Sequence, residues 1–306
     1  MERARDENLQ VSHDMIAGQI ELYDKIARGK PLKETLTALV LFIESHTPGM
    51  ICTILLLDED GQRLWTGAGP NFPMGLSAAI DGSSIGPSAG SCGTAAFRGA
   101  NVFVEDIQTD PLWADYRMVF LLHGLRACWS SPIFDEQGKV LGTFAMYFRK
   151  TSLPGEHDLE LIEIATRIAS SCILRKRTDR SLRRSLLQLS VIYDNVSESI
   201  FLLEVQPDFR FRFVSANKAF LFANNVKIEK VIGNNVERVF PPSTHQLLLS
   251  KYRQAIQEKR AVQWEQLTNH PDGKKNIVVT INPIFNELGV CTHLVGNSHD
   301  VSVLEA

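Results

Sequence analysis

Apolar positions recur at helical and strand intervals in two successive blocks, and each block mixes both periods. Leu9, Ile16, Ile20, Tyr23 and Ile26 fall at helical spacings, so residues 9–27 read as an amphipathic helix. A second helix opens at Pro31, a residue suited to a first turn, and carries Leu36, Leu39, Val40 and Ile43. The run Cys52–Leu57 is a strand, Asp58-Glu-Asp-Gly61 its turn, and Leu64 and Trp65 lie on the returning strand. Residues 68–91, rich in Gly, Pro, Ser and Ala, read as a long connection with at most one short strand. A short helix at Thr94–Phe97 ends at Gly99, a strand follows at 102–104, and 127–134 with 139–148 form a hairpin across Asp135–Gly138. Pro154 and Gly155 stop this sheet and open a long helix.

The second block begins past Asn195. Strands at 199–205 and 211–215 precede short helices at 217–223 and 228–231, and a longer helix follows Pro241-Pro242-Ser243 with Ser243 as its N-cap. Strands at 261–268, 274–284 and 290–298, with turns at Pro271-Asp-Gly273 and Asn286–Gly289, complete a five-stranded sheet. The expected fold class is α/β in the α+β sense: two domains, each a central antiparallel sheet flanked by helices, joined by a long helix. The boundaries expected are 1–173, a helical linker at 174–190, and 191–306.

Within the linker, Leu182, Leu186, Leu189, Tyr193 and Val196 step by 4, 3, 4 and 3, the spacing of a packed helical seam. Residues 175–184 hold six basic side chains against Asp179 alone. Two readings stand: a solvated face packed on its own domain, or the middle of a parallel dimer stem, which is preferred because the apolar steps resume in phase.

Composition narrows the function classes. The 306 residues are 44% hydrophobic and 22% charged with net charge -3, which fits a globular chain without the bulk basic footprint of a nucleic-acid binder. No apolar run reaches the ~18 residues of a membrane span, and the charged start is no signal segment, so the expected location is the cytoplasm. Five cysteines, at 52, 92, 128, 172 and 291, lack CxxC spacing and are odd in number, which argues against a disulfide framework or zinc ribbon. Buried free thiols are the plain expectation, and a thiol pair formed by spatial approach stays open.

Residues 20–173 resemble a GAF domain, on the strength of Ile85-Gly-Pro-Ser-Ala-Gly-Ser-Cys-Gly-Thr-Ala-Ala96, Asp110-Pro-Leu-Trp113 and His123-Gly-Leu-Arg-Ala-Cys-Trp-Ser130. Residues 186–303 resemble a PAS domain through Phe213-Val-Ser-Ala-Asn217, Val231-Ile-Gly233 and Gly296-Asn-Ser-His-Asp-Val301. The resemblance implies a sensory region of bacterial signal transduction, of the kind that regulates a histidine kinase or a cyclic-dinucleotide enzyme. With no HExxH, P-loop, kinase glycine loop or GGDEF-like run in the sequence, no enzyme is expected. The chain is then either the sensory part of a longer protein or a small protein that acts by docking.

Ser91, Cys92, Gly93 and Thr94 stand at a helix start, where free N–H groups suit an anion or a carbonyl. In GAF folds the corresponding region borders the ligand cavity, so Trp113, Tyr116, His123 and Cys128 join these four as pocket candidates. The competing reading is a tight buried turn with Ser91 as N-cap. His245, in His245-Gln-Leu-Leu-Leu-Ser-Lys-Tyr252, resembles the iron-binding histidine of haem-binding PAS sensors. Phe201, Phe211, Phe213, Phe220, Phe222 and Phe240 supply enough aromatic volume to fill the second core without a ligand. No metal site and no particular cofactor is specified. The leading expectation is a module that binds a small ligand or partner, self-associates through the interdomain helix and passes its state to an output. The alternatives are a ligand-free dimerisation or docking module, and a haem or redox sensor.

Overall fold

The computed structural model describes residues 2–271 and 273–301, so the centre of the Pro271–Gly273 turn lies outside the described residues. The chain divides into two compact units, Met1–Ser181 and Leu182–Ala306.

The first unit runs α1 (Glu2–Ala27), α2 (Leu32–Glu44), β1 (Ile51–Leu57), β2 (Arg63–Ala68), α3 (Met74–Ile80), β3 (Ser83–Ser84), α4 (Gly90–Arg98) and β4 (Val102–Val104). A 3-10 turn at Pro111–Trp113, α5 (Arg117–Leu122), β5 (Ala127–Phe134), β6 (Val140–Phe148) and α6 (Glu156–Asn195) follow. The strands form one antiparallel sheet in the order β3-β2-β1-β6-β5-β4. Its central strands are covered on both faces. Cys52, Ile54, Phe144 and Met146 meet Leu36, Leu39, Ile43, Leu161 and Ile168 of α2 and α6 on one side. Leu55, Leu57 and Tyr147 meet Leu76, Ala95, Trp113 and Phe120 on the other. Each fully buried Leu or Ile contributes about 2–3 kcal/mol relative to exposure, so the two layers fix the register of every central strand.

Helices α3 and α5 and the 3-10 turn fall where the sequence suggested connections. They are short, and Met74, Met118 and Leu122 point to solvent, which hides their period. Helix α4 starts at Gly90, four residues before the expected Thr94, and its N-cap position is Ala89 rather than Ser91. Ser243 likewise sits inside α10, whose N-cap is Pro241.

Helix α6 is 40 residues long and unbroken. Its residues Leu161 to Ile173 serve the first core. Three of the basic side chains then bind the same unit: Arg175 donates to the Ala27 carbonyl at 3.0 Å, Arg177 to the Leu57 carbonyl at 3.0 Å, and Arg180 pairs with Glu59 at 3.4 Å. Beyond them Leu182, Leu186 and Leu189 are 58%, 57% and 64% exposed.

The second unit contains β7 (Ser199–Gln206), β8 (Arg210–Ala216), α7 (Lys218–Ala223), α8 (Ile228–Val231), α9 (Val236–Val239), α10 (Pro242–Glu258), β9 (Val262–His270), β10 (Gly273–Phe285) and β11 (Cys291–Asp300). Its antiparallel sheet has the order β8-β7-β11-β10-β9, with the helices inserted between β8 and β9. Asn217, fully buried, ties three segments of this unit together. Its Oδ1 accepts from Ile200 N and from Phe220 N, both at 2.9 Å, the second bond capping α7. Its Nδ2 donates to the Tyr193 carbonyl of α6 at 3.1 Å and to the Glu198 carbonyl at 2.8 Å. The Tyr193 hydroxyl donates to the Ile200 carbonyl at 3.2 Å and shares a 3.0 Å hydrogen bond with Ser215 Oγ.

Replacing Asn217 with Ala strands two buried N–H groups and two carbonyls at once. Because each buried orphan costs about 1–3 kcal/mol before relaxation, we expect Asn217→Ala to lose about 2–4 kcal/mol of stability. Urea unfolding followed by circular dichroism measures this, and a loss below about 1 kcal/mol would show that water replaces the amide.

Candidate functional site

The face of the first sheet that lies under α4 carries an ordered grid of polar groups. Strand alternation puts Thr53, Leu55, Thr143, Ala145, Tyr147, Cys128 and Ser130 on that face. Registers place Tyr147 opposite Cys128, and Ala145 between Thr53 and Ser130. Helix α4 lays Ser91 and Cys92 over this grid. Ser91 Oγ accepts from Trp113 Nε1 at 3.1 Å and donates to the Cys128 carbonyl at 3.2 Å. The Cys92 sulfur lies 3.6 Å from the Tyr147 hydroxyl. The hydroxyls of Thr53, Ser130 and Thr143 are buried and make no full hydrogen bond to the protein. Native interiors rarely leave such groups idle, so three on one sheet face mark it as unusual.

Gly93 permits the close seat of α4, since a β-carbon there would meet Ala89 Cβ at 2.7 Å. Thr94 closes the loop before the helix by accepting from Ala89 N at 3.0 Å. No side chain caps α4, so its first-turn amides are left to another acceptor. A cavity of about 30 Å³ opens here, lined among others by Gly90, Ser91, Cys92, Trp113, Tyr116 and Tyr147. At about 10–15 Å³ for one water, it admits two water-sized groups.

The electrostatics separate the two thiols. Hydrogen bonding from the Cys128 thiol does most to hold the Cys92 pKa below its ordinary value; burial opposes it, and the hydroxyls of Ser130, Tyr147 and Thr143 assist. Burial pushes Cys128 up, and the neighbouring Cys92 adds to that. Burial also raises Tyr147, which therefore stays a neutral donor. Of the pair, Cys92 ionises first.

The cavity is lined by Ser91, Cys92, Gly93, Trp113 and Tyr116 of the candidate residues, with Thr94 and Cys128 fully buried and outside the lining. It leaves out His123, which is exposed at the end of α5 and outside the cavity lining; its carbonyl accepts from Arg149 at 3.0 Å. Arg126 is also turned away, paired with Asp106 at 3.0 Å. Asp110 and Asp135 are spent on turns, accepting from Leu112 N and from Gln137 N and Lys139 N. Sequence reasoning missed Thr53, Ser130, Thr143 and Tyr147. The available signal was polar residues at alternate positions of otherwise apolar strands, in phase with Cys128.

The second unit holds a wider cleft of about 820 Å³ between its sheet and helices α7, α9 and α10. Phe201, Phe220, Phe240 and Tyr252 give it an apolar wall, while Gln266 and His299 are among its polar residues. The phenylalanines therefore do not fill this interior: Phe211 and Phe213 are buried in the core, whereas Phe222 is 59% exposed. Its size lies within the range of sites for small organic molecules. His245 is half-buried and outside the lining, with Nε2 2.7 Å from the Phe240 carbonyl. Of the same helix, Ser243, Thr244, Leu248 and Tyr252 line the cleft. Among the described residues no cluster of three or more His, Cys, Asp or Glu is arranged to hold a metal, and no helix is long and apolar enough to cross a membrane.

Comparison with known proteins identifies the two units. A GAF domain model matches residues 29–173, and a PAS fold model matches residues 193–306. The chain is 31% identical over 247 residues to the methyl sulfide methyltransferase-associated sensor of Methanosarcina acetivorans; the match takes in 81% of this chain and 24% of that protein, so the chain spans about a quarter of its relative. Among solved structures it is similar to the E. coli DhaR(N)–DhaL complex, with TM-score 0.44 and 17% identity over 92% of this chain and 90% of that one. It is also similar to the GAF domain of an Acinetobacter phosphoenolpyruvate-protein phosphotransferase, with TM-score 0.44 and 16% identity over 54% of this chain and 96% of that one. The chain is a GAF domain followed in tandem by a PAS domain, and belongs with the sensory regions built from that pair.

Proposed function

We propose that this signal-sensing module receives a small organic ligand in the PAS cleft and passes the occupied state to α6, and through it to an output domain or protein. The observation that carries the reading is Asn217. Its carbonyl oxygen caps α7, which contributes Ala219 and Phe220 to the cleft wall, while its amide nitrogen holds the Tyr193 carbonyl of α6. A ligand that shifts α7 strains bonds shared with that helix, so it needs only a differential affinity for two α7 positions to bias them. The cleft's apolar wall and polar residues fit a molecule with an aromatic or aliphatic body and one hydrogen-bonding edge. Sensing rather than turnover is the role, and a histidine kinase or a cyclic-dinucleotide enzyme is the class of output.

A second copy of the chain is the partner for the exposed leucines of α6. Leu182, Leu186 and Leu189 keep heptad spacing, and the arginines before them are engaged with their own unit, so the apolar stripe is left uncovered.

Three measurements test the proposal. Anilinonaphthalene sulfonate, used as an apolar probe, is expected to bind the purified chain, and Ala219→Trp should weaken that binding about tenfold by filling the cleft. Hydrogen exchange in the last turns of α6 should change with the probe; unaltered exchange under saturation would sink the coupling. In sedimentation velocity the chain should dimerise, and Leu186→Asp should raise the dissociation constant at least about tenfold. A monomer at every concentration would remove the stem.

A further inference from the structure

The buried thiols of the GAF domain have a chemistry that ligand sensing in the PAS cleft neither requires nor uses. Cys92 lines the small cavity, whereas Cys128 lies fully buried on the strand below it. They sit on facing elements, α4 and β5, which the Ser91 bond to the Cys128 carbonyl clamps together. The polar groups about them are the hydroxyls of Ser130 and Thr143, which have no partner besides the Cys92 sulfur, and that of Tyr147, 3.6 Å from the same sulfur. The remaining three cysteines are in other settings. Cys52 and Cys172 belong to the opposite layer of the sheet, and Cys291 to the PAS core.

We infer that Cys92 and Cys128 form a peroxide-reactive pair, in which a small hydroperoxide entering the α4 cavity oxidises Cys92 and Cys128 then closes a disulfide. Ionised Cys92 attacks one oxygen of the peroxide, the O–O bond breaks, and the departing hydroxide takes a proton to leave as water. The product is a sulfenic acid on Cys92. The Cys128 sulfur attacks it, the S–O bond breaks, and a second water leaves. Two thiols and one hydrogen peroxide thus give one disulfide and two waters. The Tyr147 hydroxyl, which lines the cavity beside the Cys92 sulfur, supplies a donor for the oxygen that carries charge as the O–O bond breaks. A chamber for two water-sized groups admits the two oxygens of hydrogen peroxide and excludes a bulky peroxide or a glutathione disulfide. Thiolate character favours Cys92 as the attacking sulfur, and Cys128, held protonated, as the one that resolves.

The full chain treated with equimolar hydrogen peroxide should lose the mass of two hydrogens, and a non-reducing peptide map should join the peptides of Cys92 and Cys128. Reaction there should be at least about tenfold faster than at Cys52 or Cys172. In Cys128→Ala, dimedone should trap a sulfenic acid on Cys92, and in Cys92→Ala neither product should form. Should Cys128→Ala fail to fold, Cys128→Ser serves, and the map of the unaltered chain decides by itself. Cumene hydroperoxide should react at least about tenfold more slowly than hydrogen peroxide, because the cavity excludes its ring. Five free thiols after treatment, a bond joining other cysteines, or equal rates with the two peroxides would overturn the inference.

Discussion

Burial of the first sheet on both faces is the constraint from which the rest of that unit follows. A strand covered on one side has somewhere to send its polar side chains; β1, β5 and β6 do not. Every residue there must be apolar, be paired, or bear the cost of an unmet hydrogen bond, roughly 1–3 kcal/mol for a hydroxyl. Thr53, Ser130 and Thr143 bear it side by side on the face under α4. Valine has nearly the shape of threonine and would relieve two of the three, so a sequence selected for packing alone has an inexpensive alternative. The sheet face under α4 is therefore better understood as a place where stability is given up for polarity than as ordinary core.

The second unit solves the opposite problem. Its sheet carries helices on one face only, and those helices stand far enough from it to leave a cleft of about 820 Å³. What keeps short elements such as α7, at six residues, in place beside such a space is not length, because an isolated helix of that size is unstable. It is Asn217, whose amide is committed on both ends. The same amide closes the last turns of α6. The start of α7 and the end of α6 are thus tied to one side chain.

How far the sequence discloses this depends on the range of the interaction. Alternating strands and their Asp- and Gly-bearing turns are local, and β1, β5, β6 and all five PAS strands lie where the pattern puts them to within about three residues. The start of α4 was hidden because Gly90 and Gly93 weaken a helical reading, although a β-carbon at residue 93 would collide with Ala89. Helices α3 and α5 were hidden by exposed Met74, Met118 and Leu122, which break the apolar stripe on which periodicity relies. The Cys92–Tyr147 contact spans 55 positions and no local pattern encodes it. Motif likeness picked out five residues of the cavity lining and two, Thr94 and Cys128, buried outside it, but also His123, whose position at the end of a short helix depends on where that helix begins. It also singled out His245, where one step along α10 decides between the cleft and a backbone carbonyl.

The two cavities differ in volume by more than twentyfold, about 30 Å³ against 820 Å³, and that difference sorts the signals they can take. A chamber for two heavy atoms cannot discriminate organic molecules by shape, since it contains too few contacts to score them. It can discriminate by reactivity, because a covalent bond to sulfur needs only an approach path and a stabilised anion. A cleft of several hundred cubic ångströms has the converse property: many weak contacts, each sensitive to shape. Carrying one chamber of each kind lets a chain respond to a chemical condition and to a particular molecule without either competing for the other's site. Helix α6 gives Leu161 to Ile173 to the first core and reaches the second unit through hydrogen bonds of Tyr193, so it is covalently and physically part of each.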